Sequence, residues 1–392
     1  MSRTRVFLYV QHLLGIGHLK RAATLARALA AHGMEVTLAS GGFEVPGLAL
    51  DGLRFVQLPA AGSPDLNFRT LVDARGRPVD DAWRSMRCAA LLAAWREASP
   101  HALAVELFPF GRRQMRFELL PLLEEAIAAP RRPVTVSSVR DVLGGGQRDP
   151  ARQDEMLEHF ERYFDHLLVH GDPRFIAFDR TFRHAARLGE RLHYTGFIVD
   201  SAPPAGRGEE RAGIDEVLVS AGGGAVGKRF LETAIRARPL TILAERTWRV
   251  LGGVNIVRQD FEDLGRLARA AGEGRVVVER SRPDFATLLQ NSFLSVSQAG
   301  YNTLMEVLDS GARAVVVPFA GGTETEQTLR ARSLAASGRI EMVEEDALAP
   351  ETLANAVDRA AIRSRPERGG VPLDGAPRSA ELIAEWTAGL AW

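Results

Sequence analysis

Three side chains stand where an acid–base step would need them. His18, Glu106 and Asp141 each follow an apolar run of strand length, at the end where open α/β sheets take their ligands. His18 closes the glycine turn Gly15-Ile-Gly17-His18 at the start of a helix. An imidazole there can accept a hydroxyl proton as a general base, and the helix N-terminus keeps it neutral at pH 7. The same ring can instead cap the helix or bond within the turn, and the spacing leaves both readings open. Glu106 and Asp141 can take the base role if they face the same crevice. Arginines cluster after Glu106, at Arg112, Arg113 and Arg116. They suit a phosphate or carboxylate on a substrate; a solvated helix start accounts for them equally well.

A second set lies in the C-terminal half. Ser297-Gln-Ala-Gly300-Tyr-Asn-Thr-Leu-Met-Glu306 reads as strand end, glycine turn and helix. Asn302 or Thr303 can cap the helix, and Gly300 lets the backbone turn sharply towards a ligand. Glu306, about one turn in, can accept two hydrogen bonds from a ribose diol, while amides at the helix start favour a diphosphate. A glutamate there can also merely complement the helix dipole. Gly222, Gly223, Gly224 and Ala225 form a loop whose amides can approach a diphosphate, without the strict dinucleotide fingerprint. Ser281 and Arg282 sit in a loop that can frame a base. Thr323, Glu326 and Gln327 lie in the loop after a further strand. There is no Asp-x-Asp motif, so a metal–diphosphate clamp is not expected.

The elements that must position these residues follow a βα pattern. Strands are expected at 6–10, 34–38, 53–58, 102–105, 134–138 and 166–169. Between them, Leu19, Ala22, Ala26 and Leu29 share one face of a helix over 18–32, and a second helix covers 81–98. Residues 59–80 read as a long polar loop, and 170–173 as a turn into another helix. Residues 201–211 have linker composition. The pattern then restarts, with strands at 216–220 and near 249–251, 276–278, 293–296, 314–317 and 340–343. A glycine- and proline-rich breaker over 365–377 precedes a last helix at 378–392. The expected domains are 1–200, a linker at 201–215, 216–375, and a final helix at 376–392 packing back on the first.

Composition narrows the class. With 392 residues and 46% of them hydrophobic, two domains with sizeable cores are expected. Zero formal net charge argues against a nucleic-acid binder. The one cysteine, Cys88, excludes an intramolecular disulfide and a cysteine-rich zinc site. No apolar run approaches the ~18 residues of a membrane span, and the start of the chain does not read as a signal peptide. A cytoplasmic protein is expected, with peripheral association with the inner membrane face left open.

Gly15–His18, the glycine loop after Ser220, Ser297–Glu306 and Thr323–Gln327 occur in the order and approximate spacing of a GT-B glycosyltransferase. The chain resembles the MurG-type transferases, which move N-acetylglucosamine from UDP to a lipid-linked acceptor. It is also similar to a group of bacterial predicted glycosyltransferases sharing YVQHLLGIGHLKRA and HGDPRF. The resemblance implies two Rossmann-like domains with a cleft between them and a C-terminal crossover helix. It implies an inverting, metal-independent transferase of hexosyltransferase type that uses a nucleotide sugar as co-substrate, a UDP-sugar foremost, with no other cofactor. By position, Glu306 matches the ribose-binding glutamate, and Gly222–Ala225 the diphosphate loop. Ser281 and Arg282 match the base segment, and Gln327 the donor-sugar glutamine. His18 matches the acceptor-side histidine. The chain departs from MurG where Thr195-Gly-Phe-Ile-Val-Asp200 replaces the segment carrying a diphosphate arginine, and where Glu106–Arg113 replaces an acceptor-side glycine motif. The acceptor is thus open, whether lipid-linked or a small molecule. Gly15–Arg21, as GxGHxxR, also looks like a nucleotide-sugar hydrolase family. A non-catalytic nucleotide-sugar binder is the reading from another class.

Overall fold

The computed structural model describes residues 3–13, 15–64, 70–144, 149–200, 212–222, 227–253, 256–320, 325–367 and 369–390. The chain forms two compact units, Met1–Asp200 with Pro372–Trp392, and Ser201–Val371.

The first unit alternates strand and helix: β1 (Arg5–Val10), α1 (Gly17–Ala31), β2 (Glu35–Ser40), β3 (Arg54–Gln57), β4 (Ala61–Gly62), β5 (Val72–Asp73), α2 (Asp81–Ala98) and β6 (Ala102–Glu106). There follow α3 (Arg116–Ala128), β7 (Val134–Arg140), α4 (Pro150–Tyr163), β8 (His166–His170), α5 (Ala185–Leu188) and β9 (Leu192–Tyr194). Its seven-stranded sheet is parallel, in the order β3-β2-β1-β6-β7-β8-β9. The strand order therefore reverses between β1 and β6, which opens a crevice at their C-terminal ends.

The second unit holds β10 (Val217–Ser220), α6 (Lys228–Ala237), β11 (Trp248–Gly252), α7 (Arg258–Ala271), β12 (Val276–Arg280), α8 (Phe285–Asn291) and β13 (Leu294–Gln298). It continues through α9 (Tyr301–Ser310), β14 (Arg313–Val317), α10 (Glu326–Ala336), β15 (Glu341–Met342) and α11 (Pro350–Ala361). Six parallel strands run β12-β11-β10-β13-β14-β15, and the order reverses between β10 and β13. Each unit is thus a doubly wound sheet with one switch point.

The last helix, α12 (Gly375–Thr387), belongs to the first unit. Ala376, Ala380 and Ile383 join one buried layer with Leu19, Ala22 and Ala26 of α1 and with Val6, Leu8, Ala102, Ala104, Val136 and Leu168 of the sheet. The other sheet face packs Phe7, Leu103, Val105, Val139 and Val169 against α2, α3 and α4. Strand alternation carries the first layer one step further along each strand. Beyond Ala104 comes Glu106, beyond Val136 come Ser138 and Arg140, and beyond Leu168 comes His170. The apolar face therefore ends in a polar row at the C-terminal edge, where α1 begins.

Some expected elements differ. Within 59–80, β4 and β5 form an antiparallel pair. The turn that follows β5 is held by Asp73, whose Oδ1 accepts from the amides of Arg75 and Arg77 at 2.8 and 2.9 Å. The last helix starts inside the expected breaker, because Pro377 falls in its first turn, where no amide donor is needed. After His170 the chain makes a turn on Asp172, whose carbonyl accepts from Phe175 N, and the next α-helix is only the short α5.

Candidate active site

His18 is the second residue of α1, and Ile16 occupies the N-cap without a side-chain bond. The ring does not cap the helix. It crosses to the end of β6, where Nδ1 lies 2.7 Å from Glu106 Oε1. Arg21, one turn further along α1, also donates to Glu106 Oε1. Glu106 and Arg21 are 2% and 4% exposed, so this is a buried carboxylate held between a guanidinium and an imidazole. Among the described residues Glu106 Oε2 has no hydrogen-bond partner. A carboxylate accepts only, so the shared bond places the His18 proton on Nδ1 and leaves Nε2 as the lone-pair nitrogen.

Electrostatics fix the protonation states. Burial is the main force lowering the His18 pKa, to about 3; Glu106 opposes it, while Arg112 and Arg140 add to it. Burial alone would raise Glu106, but His18, Arg21 and Arg112 outweigh it and hold the carboxyl down at about 2. At neutral pH the pair is therefore imidazole and carboxylate. Burial is the largest cause that keeps His18 neutral.

Arg112 reaches this centre from a left-handed backbone position (φ 59°), with Nε 2.6 Å from Gln11 O. The arginine cluster read from the sequence divides, with Arg112 near Glu106 and the other two at Glu155. Arg116 bonds Glu155 at 2.5 Å, and Arg113 is exposed, 3.9 Å from the same glutamate. Asp141 is fully buried just past β7, with Oδ1 accepting from Val142 N at 2.9 Å, and it packs against Gly171. Gly15 is exposed with open space around it, and Gly17 is the first residue of α1.

Two neighbouring networks were not anticipated. His170 is fully buried between Ser138 Oγ at 2.7 Å and Thr195 Oγ1 at 2.9 Å. On the opposite face, Arg87 binds Glu118 at 2.6 and 2.8 Å, Gln11 Oε1 at 2.5 Å, and the carbonyls of Gly41 and Pro59 at 2.7 Å each. Tyr9 donates to Glu118 as well. A Cβ on Gly41 would fall 2.0 Å from Arg87 Nη2, so that glycine is required by close approach.

In the second unit, Gly222 adopts φ 71°, a left-handed conformation natural to glycine, and its amide donates to Ser220 Oγ at 3.2 Å. A Cβ built on it would lie 3.5 Å from Thr303 Oγ1, so Gly222 comes close to the first turn of α9. Gly300 is the N-cap of α9, in place of the Asn302 or Thr303 expected; its φ of −58° is open to any residue. Asn302 and Thr303 lie inside the helix because its first turn starts at Tyr301. Glu306, half-buried, stands three residues after Thr303 and on the same side of the helix. Below them Ser220 and Ser297 are register partners across the switch point, and Gln298 Oε1 lies 3.8 Å from a Cβ built on Gly227.

Around this centre, Ser281 N donates to Gly252 O at 2.8 Å, and Arg282 grips Asp284 in a fork at 2.9 and 2.8 Å. Gln327 Oε1 accepts from Phe319 N at 3.1 Å, which fixes it to the loop after β14, and Glu326 is buried beside it in α10. Lys228 is held by Asp260 and Asp263 at 2.8 and 2.6 Å. Gly223, Gly224, Ala225 and Thr323 lie outside the described residues. Thus Gly222 and the first turn of α9, the helix that Gly300 caps and that carries Glu306, come together in one unit, and His18 and Glu106 in the other. Ser138, His170 and Gln298 had one sequence signal, a polar residue where an apolar alternation stops, and Arg21, inside α1, had none.

Comparison with known proteins places the chain. Residues 267–367 match the glycosyltransferase family 28 C-terminal domain. A UDP-N-acetylglucosamine–N-acetylmuramyl-(pentapeptide) pyrophosphoryl-undecaprenol N-acetylglucosamine transferase of Mesorhizobium japonicum is 28% identical over 176 residues, 43% of this chain and 46% of the relative. The chain thus spans about half the length of that relative. The transferase of the same name from Phenylobacterium zucineum is 27% identical over 357 residues, 88% of this chain and 86% of its own. The crystal structure of Acinetobacter baumannii MurG superposes with a TM-score of 0.57 at 16% identity, covering 97% of this chain and 99% of that one. The chain is MurG-like, and its doubly wound units have the GT-B fold.

Proposed function

We propose that this MurG-like chain is an inverting glycosyltransferase that moves a sugar from a nucleotide-sugar donor, a UDP-sugar foremost, to an acceptor hydroxyl. The observation that carries it is the His18–Glu106 bond at 2.7 Å, which commits Nδ1 and leaves Nε2 as the base. His18 Nε2 takes the hydroxyl proton as the oxygen attacks the anomeric carbon. The bond from that carbon to the diphosphate breaks, and its electron pair leaves with the diphosphate. Glu106 stabilises the imidazolium as it forms and holds the ring in one tautomer, while Arg21 keeps Glu106 ionised. Charge gathering on the leaving diphosphate falls to the amides of the Gly222 loop and of the α9 N-terminus. Glu306 binds the ribose diol in this reading, and Ser281 and Arg282 frame the base. Metal independence belongs to the same proposal, and turnover retained in excess chelator tests it.

The decisive experiment is turnover of a panel of UDP-, dTDP-, GDP- and ADP-sugars, with and without candidate acceptors. Consumption that needs both an acceptor hydroxyl and His18 supports transfer. Equal consumption with water alone would make the protein a hydrolase. Binding without consumption would leave a nucleotide-sugar binder.

A further inference from the structure

The donor motifs of the second unit sit at the C-terminal strand ends. At the opposite end of the same sheet, where β14 and β15 begin, lies a cavity of about 500 Å³. Arg313, Arg339, Arg363 and Ser364 line it, together with one carboxylate, Glu341. Both oxygens of that carboxylate are already engaged: Oε2 by Arg359 at 2.9 Å and Oε1 by Arg363. Arg313 and Arg339 instead spend donors on neutral carbonyls, Arg313 Nε on Arg363 O at 2.7 Å and Arg339 Nη1 on Gly369 O at 2.9 Å. The lining side chains thus carry more guanidinium than carboxylate, and their acceptors are used up internally.

A second observation sharpens the imbalance. Arg313 and Arg246 flank the Phe293 ring at 4.7 and 3.9 Å, so like charges converge on one residue. Arg246 pairs with the exposed Asp215, whereas Arg313 holds carbonyls. Burial, with the charges of Arg365 and Arg246, lowers the Arg313 pKa. A lining of donors with unbalanced positive charge favours a ligand that only accepts hydrogen bonds and carries negative charge. Guanidinium forks match tetrahedral oxyanions in particular.

We propose that this cavity is a second anion site, separate from the donor site, that takes a phosphate-bearing ligand through Arg313, Arg339 and Arg363. The ligand is a soluble phosphate ester or diphosphate, or the headgroup of an anionic lipid; the chemistry of recognition is the same. This site does not depend on the transferase reading.

The test is calorimetric titration of the full chain with inorganic diphosphate, beside flotation on phosphatidylglycerol and phosphatidylcholine vesicles. Two variants are compared with the wild type. The first is Arg313→Gln with Arg339→Gln. The second is Ser364→Glu, which sets a carboxylate at an exposed lining position and removes no arginine. The proposal expects the diphosphate dissociation constant to rise at least tenfold in Ser364→Glu, and in the double variant where it stays folded. Loss of flotation on phosphatidylglycerol alone, in the same variants, assigns a lipid headgroup. Loss of diphosphate binding without any flotation assigns a soluble ligand. Diphosphate affinity and flotation unchanged in Ser364→Glu would place all anion binding elsewhere and overturn the proposal, as would no binding of either probe by the wild type.

Discussion

His18 Nδ1 and Glu106 Oε1 meet at 2.7 Å across 88 residues of sequence, one side chain from the first turn of α1 and the other from the end of β6. The topology makes that meeting. β1 and β6 are neighbours at the switch point, and α1 starts from the loop after β1. If the pair works as a unit, His18→Ala should lower turnover on the order of a hundredfold or more while nucleotide binding stays intact. Glu106→Gln should lower it at least about tenfold, because the tautomer is no longer enforced. The double variant should be little worse than His18→Ala alone, since groups that act together are not additive. Multiplicative losses in steady-state kinetics would show that the two act separately.

Glu306 lies on α9 beside the contact between Thr303 and Gly222. A carboxylate there has the acceptors a ribose diol needs. Glu306→Ala should weaken nucleotide affinity by roughly 1.5–3 kcal/mol, the range for hydrogen bonds to a charged group. Calorimetry with UDP checks this, and an unchanged dissociation constant would take Glu306 out of the donor site.

The sheets and most helices were legible because apolar alternation and glycine stops are local signals. α2 covers the expected span, and β10 and α6 flank the glycine loop as expected. What was hidden depends on contacts between distant segments. Arg21 looks like one more polar residue on a helix, yet its side chain is buried against Glu106. Arg87 in α2 and Glu118 in α3 carry no local signal of burial, yet both are fully buried. The Asn302 or Thr303 cap failed for a different reason. Side-chain preference at caps is a tendency, and the backbone entering α9 from Gln298 turns at Gly300.

The Arg87–Glu118 pair ties α2 and α3 to the loops after β2 and β3, close to the first-unit crevice. Every strong donor of Arg87 finds a partner, so removing the carboxylate strands a buried cation. Glu118→Ala should cost about 3–5 kcal/mol in urea unfolding. Arg87→Met with Glu118→Leu should cost less than Glu118→Ala alone, because no charge remains unpaired. A larger loss in the double variant would mean that the network's bonds to Gly41, Pro59 and Gln11 carry the stability instead.

Stability should also fall on mild acidification, and buried histidines give the sign. Burial lowers His170 from the ordinary 6.5 to about 3, and the nearby Arg21 charge adds to the effect. His18 is held at about 3 and His166 at about 4, burial again being the main cause. In the unfolded chain each of these rings binds a proton near pH 6.5, whereas in the folded chain it resists until far lower pH. Between those values the unfolded state holds more protons, so stability decreases as pH falls from about 6.5 towards 3, by roughly 1.4 kcal/mol per pH unit per ring. Above 6.5 these rings make no contribution to the pH slope. His170→Gln keeps a donor and an acceptor for Ser138 and Thr195 but cannot titrate. Its unfolding free energy, measured by urea titration at a series of pH values, should fall less steeply below pH 6 by about one proton's worth. An unchanged slope would mean that His170 titrates normally in the folded chain and is therefore not sealed from water.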